Sequence, residues 1–150
     1  MSSRTYRYIV RIAGTDIDGS LKTAYGLAEI KGIGVNLAYA ICRRLGIDPE
    51  MRIGYLTEEE IKKIEDFIAS PVEYGLPPWL INRRKDYQTG KDLHLIGPEL
   101  IFYVKQDIER EKKIKSWRGI RHIFGLKVRG QRTRTTGRLG LTVGVRKRRK

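Results

Sequence analysis

The acidic residues of this sequence end at Glu111, and that limit constrains the fold more than any other feature. All 17 aspartates and glutamates lie at or before this residue, together with 16 lysines and arginines, for a net charge of −1. Residues 112–150 hold 15 basic side chains and no acidic one. The net charge of +14 therefore belongs to the C-terminal part, which cannot build an ordinary hydrophobic core.

The segment from Arg118 to Arg138 is typical of a nucleic-acid-binding arm. It is rich in arginine, and glycine repeatedly interrupts any helical pattern. Arginine pairs bidentately with phosphate and stacks on bases, which favours RNA. An anionic membrane surface is the alternative, but that mode of binding needs an apolar helical face or a lipid anchor. The short apolar face that begins at Trp117 cannot continue beyond Gly125, so the charge pattern favours nucleic acid.

A second candidate site is the junction of two helical patterns, Lys31-Gly32-Ile33-Gly34. The first pattern starts at Leu21, and the second runs from Val35 to Gly46. The two glycines would let backbone N–H groups approach a phosphate at the positive end of the second helix, where the lysine adds a full charge. The alternative is a joint that only lets two helices pack, with Ile33 in the core.

Further elements follow from local signals. Tyr6 to Ile12 alternates weakly and leads into a turn, which predicts a short extended segment. Thr57 and Glu60 form a capping-box pattern that predicts a helix over residues 58–69. A second helix is predicted over residues 98–115, with a proline in its first turn. The pattern of residues 72–96 predicts an ordered loop. Residues 79–81 could clamp this loop onto the body, and residues 83–85 form a small basic cluster in it.

Several classes of function are excluded or disfavoured by residues that the sequence lacks. Cys42 is the only cysteine, so no internal disulfide is possible, and its helical position indicates a buried thiol instead of a nucleophile. With two histidines besides, we predict no metal site and no cofactor. The sequence has no apolar stretch of the roughly 18 residues that a membrane span requires, so we expect a soluble protein of the cytoplasm.

Two enzymatic interpretations of the helical junction are also disfavoured. Leu37 occupies the third-glycine position of a dinucleotide-binding fingerprint, and the segment before the junction is helical. DNA-repair glycosylases grip phosphate with similar hairpins, but they need a carboxylate with lysine or an N-terminal proline. Asp48 follows the hairpin without a nucleophile to pair with it. A histone-like DNA compactor remains as an alternative, because the basic tail alone would permit it.

The sequence also resembles a known family. The segment 118–138 looks like the C-terminal signature of the universal small-subunit ribosomal proteins of the S-thirteen family, including Arg121-His122 and Val128-Arg129-Gly130-Gln131-Arg132-Thr133. Residues 10–16 and 32–34 match the family near its N-terminus. Residues 76–84 are absent from bacterial members and resemble the archaeal and eukaryotic form. Lys127 stands where bacterial members have proline, so the conformation of their tail does not transfer.

The resemblance implies a mostly α fold, with a helix-two-turns-helix body, a long C-terminal helix and an extended basic tail. We assign residues 1–117 to the body and 118–150 to the tail. The function implied is that of a non-enzymatic constituent of the small-subunit head. The implied partners are ribosomal RNA, a head protein of the S-nineteen family, large-subunit protein L-five at an inter-subunit bridge, and P-site tRNA.

The residues expected to carry these contacts fall into two sets. The set expected to bind ribosomal RNA combines the junction with the arginine-rich segment: Lys31, Gly32, Ile33, Gly34, Arg118, Gly119, Arg121, His122, Arg129, Gly130, Gln131, Arg132, Thr133, Arg134, Thr135 and Arg138. The set expected to approach tRNA is the terminal basic cluster: Arg146, Lys147, Arg148, Arg149 and Lys150. The alternative for this cluster is a solvated terminus that adds only non-specific attraction.

Overall fold

The computed structural model describes residues 5–137, which fold mainly as helices with one two-stranded sheet. This confirms the predicted fold class. The elements are β1 Ile9–Ile12, β2 Thr15–Asp18, α1 Thr23–Ala28, α2 Val35–Leu45, α3 Glu58–Ala69, α4 Gly97–Ile114 and α5 Trp117–Ile123. The chain forms two compact units, one up to Phe102 and the other from Tyr103 onward.

Strands β1 and β2 form an antiparallel hairpin at the start of the first unit. Ile12 pairs with Thr15, so the connecting turn contains only Ala13 and Gly14, both with positive φ. A turn of this kind matches the right-handed twist of the strands. Alternate side chains of the hairpin, including Val10 and Ile12, are buried in the core. The extended segment was predicted, whereas the four-residue return strand was not.

Helices α1 and α2 are joined by two consecutive turns. The Ile30 N–H donates to the Leu27 carbonyl at 3.2 Å, and the Ile33 N–H donates to the Ile30 carbonyl at 3.0 Å. This arrangement confirms the predicted helix-two-turns-helix body. Helix α2 ends as predicted at Gly46, which adopts the left-handed conformation and donates its N–H to the Cys42 carbonyl.

The capping box predicted for α3 is present. The Thr57 hydroxyl accepts from the Glu60 N–H at 3.3 Å, and the Glu60 carboxylate accepts from the Thr57 N–H at 2.8 Å. The helix therefore begins at Glu58, as predicted, and its apolar stripe is buried: Ile61, Ile64, Phe67 and Ile68. This stripe completes a core built from the hairpin and α1 to α3.

The loop predicted over residues 72–96 contains no α-helix or strand. A 3₁₀ turn at Pro78–Leu80 is flanked by the buried side chains of Leu76 and Ile81. Beyond it, Arg83 and Leu93 exchange two backbone hydrogen bonds of 3.2 and 2.8 Å. These contacts hold the loop in place.

Helices α4 and α5 are separated by a sharp turn at Lys115, whose φ is 56°. Ser116 caps α5 by accepting from the Gly119 N–H at 3.0 Å. The segment predicted as an extended tail from residue 118 therefore begins with a helix that runs to Ile123. Residues 124–137 contain no helix or strand.

Candidate nucleic-acid interface

The junction between α1 and α2 presents the first turn of α2 to solvent. Gly34 is the N-cap residue of α2, and as a glycine it has no side chain that could cap the N–H groups of the first turn. Lys31 and Gly34 are both exposed, and a Cβ added at Gly34 would meet nothing within 4 Å. Uncapped N–H groups and the positive end of the helix dipole attract an anion. The geometry therefore suits a phosphate next to the lysine.

Two other junction residues have structural roles. Gly32 has a φ of 108°, and a Cβ there would overlap the Leu95 carbonyl oxygen and lie 3.1 Å from the Ile96 Cα. Ile33 is buried in the core. The Lys31 carbonyl accepts from the Gly97 N–H at 2.7 Å, which fixes the junction on the loop before α4. Each interpretation of the junction therefore applies to some of its residues. Gly32 and Ile33 serve the packing of the helices, whereas Lys31 and Gly34 remain open to a phosphate.

Some of the residues in and near helix α5 that were expected to bind RNA have structural roles instead. Gly119 is buried, and a Cβ there would overlap the Glu111 carbonyl and lie 2.8 Å from the Lys112 nitrogen. The Arg121 guanidinium lies 5.7 Å from the centre of the Trp117 ring, and its Nε donates to the Lys127 carbonyl. Gly119 and Arg121 therefore shape this region of the chain.

A groove beside α5 mixes charges of both signs. Its volume is about 950 Å³, and Arg118, His122 and Arg129 line it together with Asp107 and Glu111. Asp107 lies 3.6 Å from Arg110, and Glu111 accepts a hydrogen bond from the Ser116 hydroxyl at 2.5 Å. The carboxylates are thus engaged locally, while Arg118 and Arg129 are exposed to solvent.

Residues 130–137 are all exposed, and they include Gly130, Gln131, Arg132, Thr133, Arg134 and Thr135. Local bonds shape this segment: the Gln131 side-chain oxygen accepts from the Arg129 N–H at 3.4 Å, and the Thr136 hydroxyl donates to the Arg132 carbonyl. The segment itself contains no acidic residue. Arg138 and the terminal cluster Arg146–Lys150 lie outside the described residues.

The basic cluster predicted at residues 83–85 is smaller than its sequence suggests. Arg83 Nε donates to Asp86 at 2.5 Å, and the buried Asp86 carboxylate also accepts from the Thr89 N–H and hydroxyl. The hydrogen bond from Arg83 lowers the pKa of Asp86 to about 2. Arg83 therefore holds the loop together, whereas Arg84 and Lys85 remain exposed.

Two residues considered for other chemistry are packed into the body. Cys42 is fully buried, and burial raises the pKa of its thiol to about 11. A thiol with this pKa carries almost no thiolate at neutral pH, so it is a poor nucleophile. His94 accepts from the Asn82 N–H at 3.4 Å through Nδ1, and burial lowers its pKa. Within residues 5–137, no His, Cys, Asp and Glu side chains cluster in a way that could hold a metal.

The position of Trp79 differs from the one predicted from the sequence. Trp79 was expected, with Leu80 and Ile81, to clamp the loop onto the body, but Trp79 is 68% exposed. Its neighbours Leu80 and Ile81 make that contact instead. Hydropathy alone could not separate the three residues. No helix within the described part of the chain is long and apolar enough to cross a membrane.

Comparison with known proteins agrees with the resemblance. The sequence model described as Ribosomal protein S13/S18 matches residues 11–139. The chain is 83% identical to Small ribosomal subunit protein uS13 of Staphylothermus marinus, over 99% of both chains. It is 70% identical to the uS13 of Hyperthermus butylicus, over 98% of this chain and 97% of that protein. It is 60% identical to the uS13 of Saccharolobus solfataricus, over 95% and 87%.

These matches are from archaea and extend over nearly the whole chain, which is consistent with the archaeal and eukaryotic form that residues 76–84 resemble. The family comprises structural proteins of the ribosome and not enzymes, which confirms the prediction that the chain has no catalytic role. The chain belongs to the ribosomal protein S13/S18 family.

Proposed function

We propose that this protein is a structural constituent of the small ribosomal subunit head that binds ribosomal RNA at two places. The observation that carries the proposal is the match to uS13 proteins over nearly the full length of both chains. The first place is the junction, where Lys31 and the open N-terminus of α2 offer a positive charge and backbone donors to a phosphate. Gly34 keeps that approach free of a side chain.

The second place is the arginine-rich segment. Residues 130–137 are exposed and free of acidic side chains, so their arginines can pair with phosphates or stack on bases. Arg118 and Arg129 extend this surface beside α5. The buried Gly119 and the internally bonded Arg121 would support the contact by fixing the backbone around them.

The finer parts of the proposal concern partners. The terminal cluster Arg146–Lys150 would approach tRNA in the P site. The twelve residues after Arg138 can span up to about 40 Å at roughly 3.3 Å per residue, enough to reach an RNA other than the one bound by the arginine-rich segment. Contacts with a head protein of the S-nineteen family and with large-subunit protein L-five at an inter-subunit bridge follow from the family resemblance. The protein would act in the ribosomes of the cytoplasm.

The test is whether the native protein sediments with small ribosomal subunits after a high-salt wash. Attraction through the basic segment alone weakens steeply with salt, because each phosphate contact releases counterions. A protein built into the subunit should therefore remain bound when loosely attached basic proteins wash off. Co-sedimentation with DNA only would instead support the DNA compactor.

A further inference from the structure

A groove on the first unit is lined by an aromatic side chain that is not buried in the core. It lies between helix α2 and the 3₁₀ turn Pro78–Leu80, with a volume of about 560 Å³. Its α2 wall is one helical face, formed by Asn36, Tyr39, Ala40 and Arg43. Its other wall is Trp79 with Leu80. The volume lies within the roughly 300–1,000 Å³ that small-molecule sites occupy.

The turn that carries Trp79 is anchored by the residues around it. Leu76 and Ile81 are buried on either side of the turn, and Leu80 packs against the core. The Leu80 N–H donates to the Pro77 carbonyl at 3.0 Å, which closes the turn. The ring is therefore exposed on a fixed backbone. A base that stacks on an aromatic group carried by an anchored turn requires little rearrangement of the backbone.

The polar groups in the groove suit a nucleotide. No carboxylate lines it, and Arg43 is exposed at its far end, where its guanidinium can pair with a phosphate. Asn36 carries an amide that can both donate to and accept from a base edge. The nearest carboxylate bonded to a lining residue is Glu50, which accepts from the Tyr39 hydroxyl at 3.3 Å and is paired with Lys22.

The position of the groove also favours RNA. Asn36 is the second residue of α2, so the groove starts within one turn of the helix end proposed to hold a phosphate. Arg43 lies seven residues further, about 10 Å along the helix at roughly 1.5 Å per residue. A strand that leaves the junction can therefore follow one wall of the groove, with a base over Trp79.

We propose that this groove binds one unpaired nucleotide of the small-subunit ribosomal RNA. The base stacks on Trp79, its edge meets Asn36, and Arg43 contacts the adjoining phosphate. Stacking on an aromatic side chain tolerates any base, since every base has a π face, so the site selects an unpaired nucleotide instead of a sequence. The identity of the RNA rests on the proposed function.

The first experiment uses the intrinsic fluorescence of the full-length chain. The sequence has two tryptophans, so Trp117→Phe leaves Trp79 as the only one. In that background, hexaadenylate RNA should quench the Trp79 emission. Arg43→Gln should raise the RNA concentration needed for half-maximal quenching several-fold. Lys63→Gln removes the same charge from the exposed face of α3 and should leave that concentration unchanged. Absence of quenching, or an equal effect of both charge changes, would overturn the site.

The second experiment identifies the occupant in assembled particles. Small subunits are reconstituted with Trp79→Leu or Trp79→Phe and probed for base reactivity. The leucine variant should expose one nucleotide or a few adjacent ones, whereas the phenylalanine variant should protect them. Unchanged reactivity, or a crosslink from this groove to a neighbouring protein, would contradict RNA as the occupant. If the wild-type protein fails to enter the subunit, the proposed function fails, while the fluorescence result still decides whether the groove binds a nucleotide.

Discussion

Substituting valine at each glycine of the α1–α2 junction separates RNA contact from folding. Gly34 has a φ of −95° and a ψ of 168°, which any residue can adopt, and its Cβ direction is open. Valine there loses some preference for the N-cap position, but it also restricts the unfolded chain, and these effects are each below about 1 kcal/mol and opposite in sign. We therefore expect Gly34→Val to change the free energy of unfolding by no more than about 1 kcal/mol.

The effect of Gly34→Val on RNA affinity should be larger. A branched side chain at this position blocks the approach of a phosphate to the first-turn N–H groups. Hydrogen bonds to a charged group contribute roughly 1.5–3 kcal/mol each. Loss of one such bond corresponds to binding that is about 10- to 150-fold weaker. Gly34→Ala should give a smaller loss in the same direction.

Gly32→Val provides the contrasting case. Its φ of 108° is a conformation that costs a residue other than glycine about 1–3 kcal/mol, and the added Cβ overlaps the Leu95 carbonyl as well. This substitution should lower stability first and affinity only as a consequence. Thermal unfolding followed by circular dichroism gives the stability, and filter binding to small-subunit ribosomal RNA at fixed salt gives the affinity. If Gly34→Val binds RNA as tightly as the wild type, or loses affinity and stability in parallel, the phosphate site is refuted.

Three further predictions follow from the described contacts. Gly119→Ala should loosen α5, because its Cβ overlaps the Glu111 carbonyl, and the amide protons of α5 should then exchange faster. Arg83 lowers the pKa of Asp86 to about 2, so the stability that Asp86 contributes is present above about pH 4 and is lost as pH falls through 2. Asp86→Asn should remove this part of the acid sensitivity in unfolding experiments. Deletion of Arg146–Lys150 should leave incorporation into the small subunit nearly intact and reduce tRNA affinity at the P site.

Each of these three has a contrary outcome. Unchanged exchange in α5 would mean that its contact with α4 tolerates a side chain. An Asp86→Asn variant with the same loss of stability between pH 4 and 2 would assign the acid transition to other carboxylates. Loss of assembly with normal tRNA affinity in the particles that form would contradict a role of the terminal cluster at the P site.

The elements predicted best from the sequence are those whose signals lie within a few residues. The start of α3 follows from Thr57 and Glu60, which bond to each other across one turn. The end of α2 follows from Gly46, whose left-handed conformation terminates the helix locally. Such signals do not depend on the rest of the fold, so they can be read without it. The absence of acidic residues after Glu111 is likewise visible in the sequence alone.

The features that the sequence did not reveal depend on how the folded chain arranges residues around them. Gly32 needs to lack a side chain because the backbone of Leu95, more than sixty positions later, lies against it. Arg83 has the same sequence neighbourhood as Arg84, and only the position of Asp86 shows that it is bonded within the loop. The direction of Trp79 depends on how the turn around it is anchored. Residue type therefore identified the cationic regions, while tertiary contacts decided which of their members face solvent.

The burial of Cys42 has a practical consequence for measurements on this protein. The chain has no other cysteine, and this one is shielded from solvent with a thiol pKa of about 11. Maleimide reagents attack the thiolate, so they should leave the folded native chain unmodified. A cysteine introduced on an exposed helix face, for example at Lys63, would then be the single labelling position. Dyes or spin labels could be placed one at a time, and distances within an assembled particle measured, without replacing any native residue of the core.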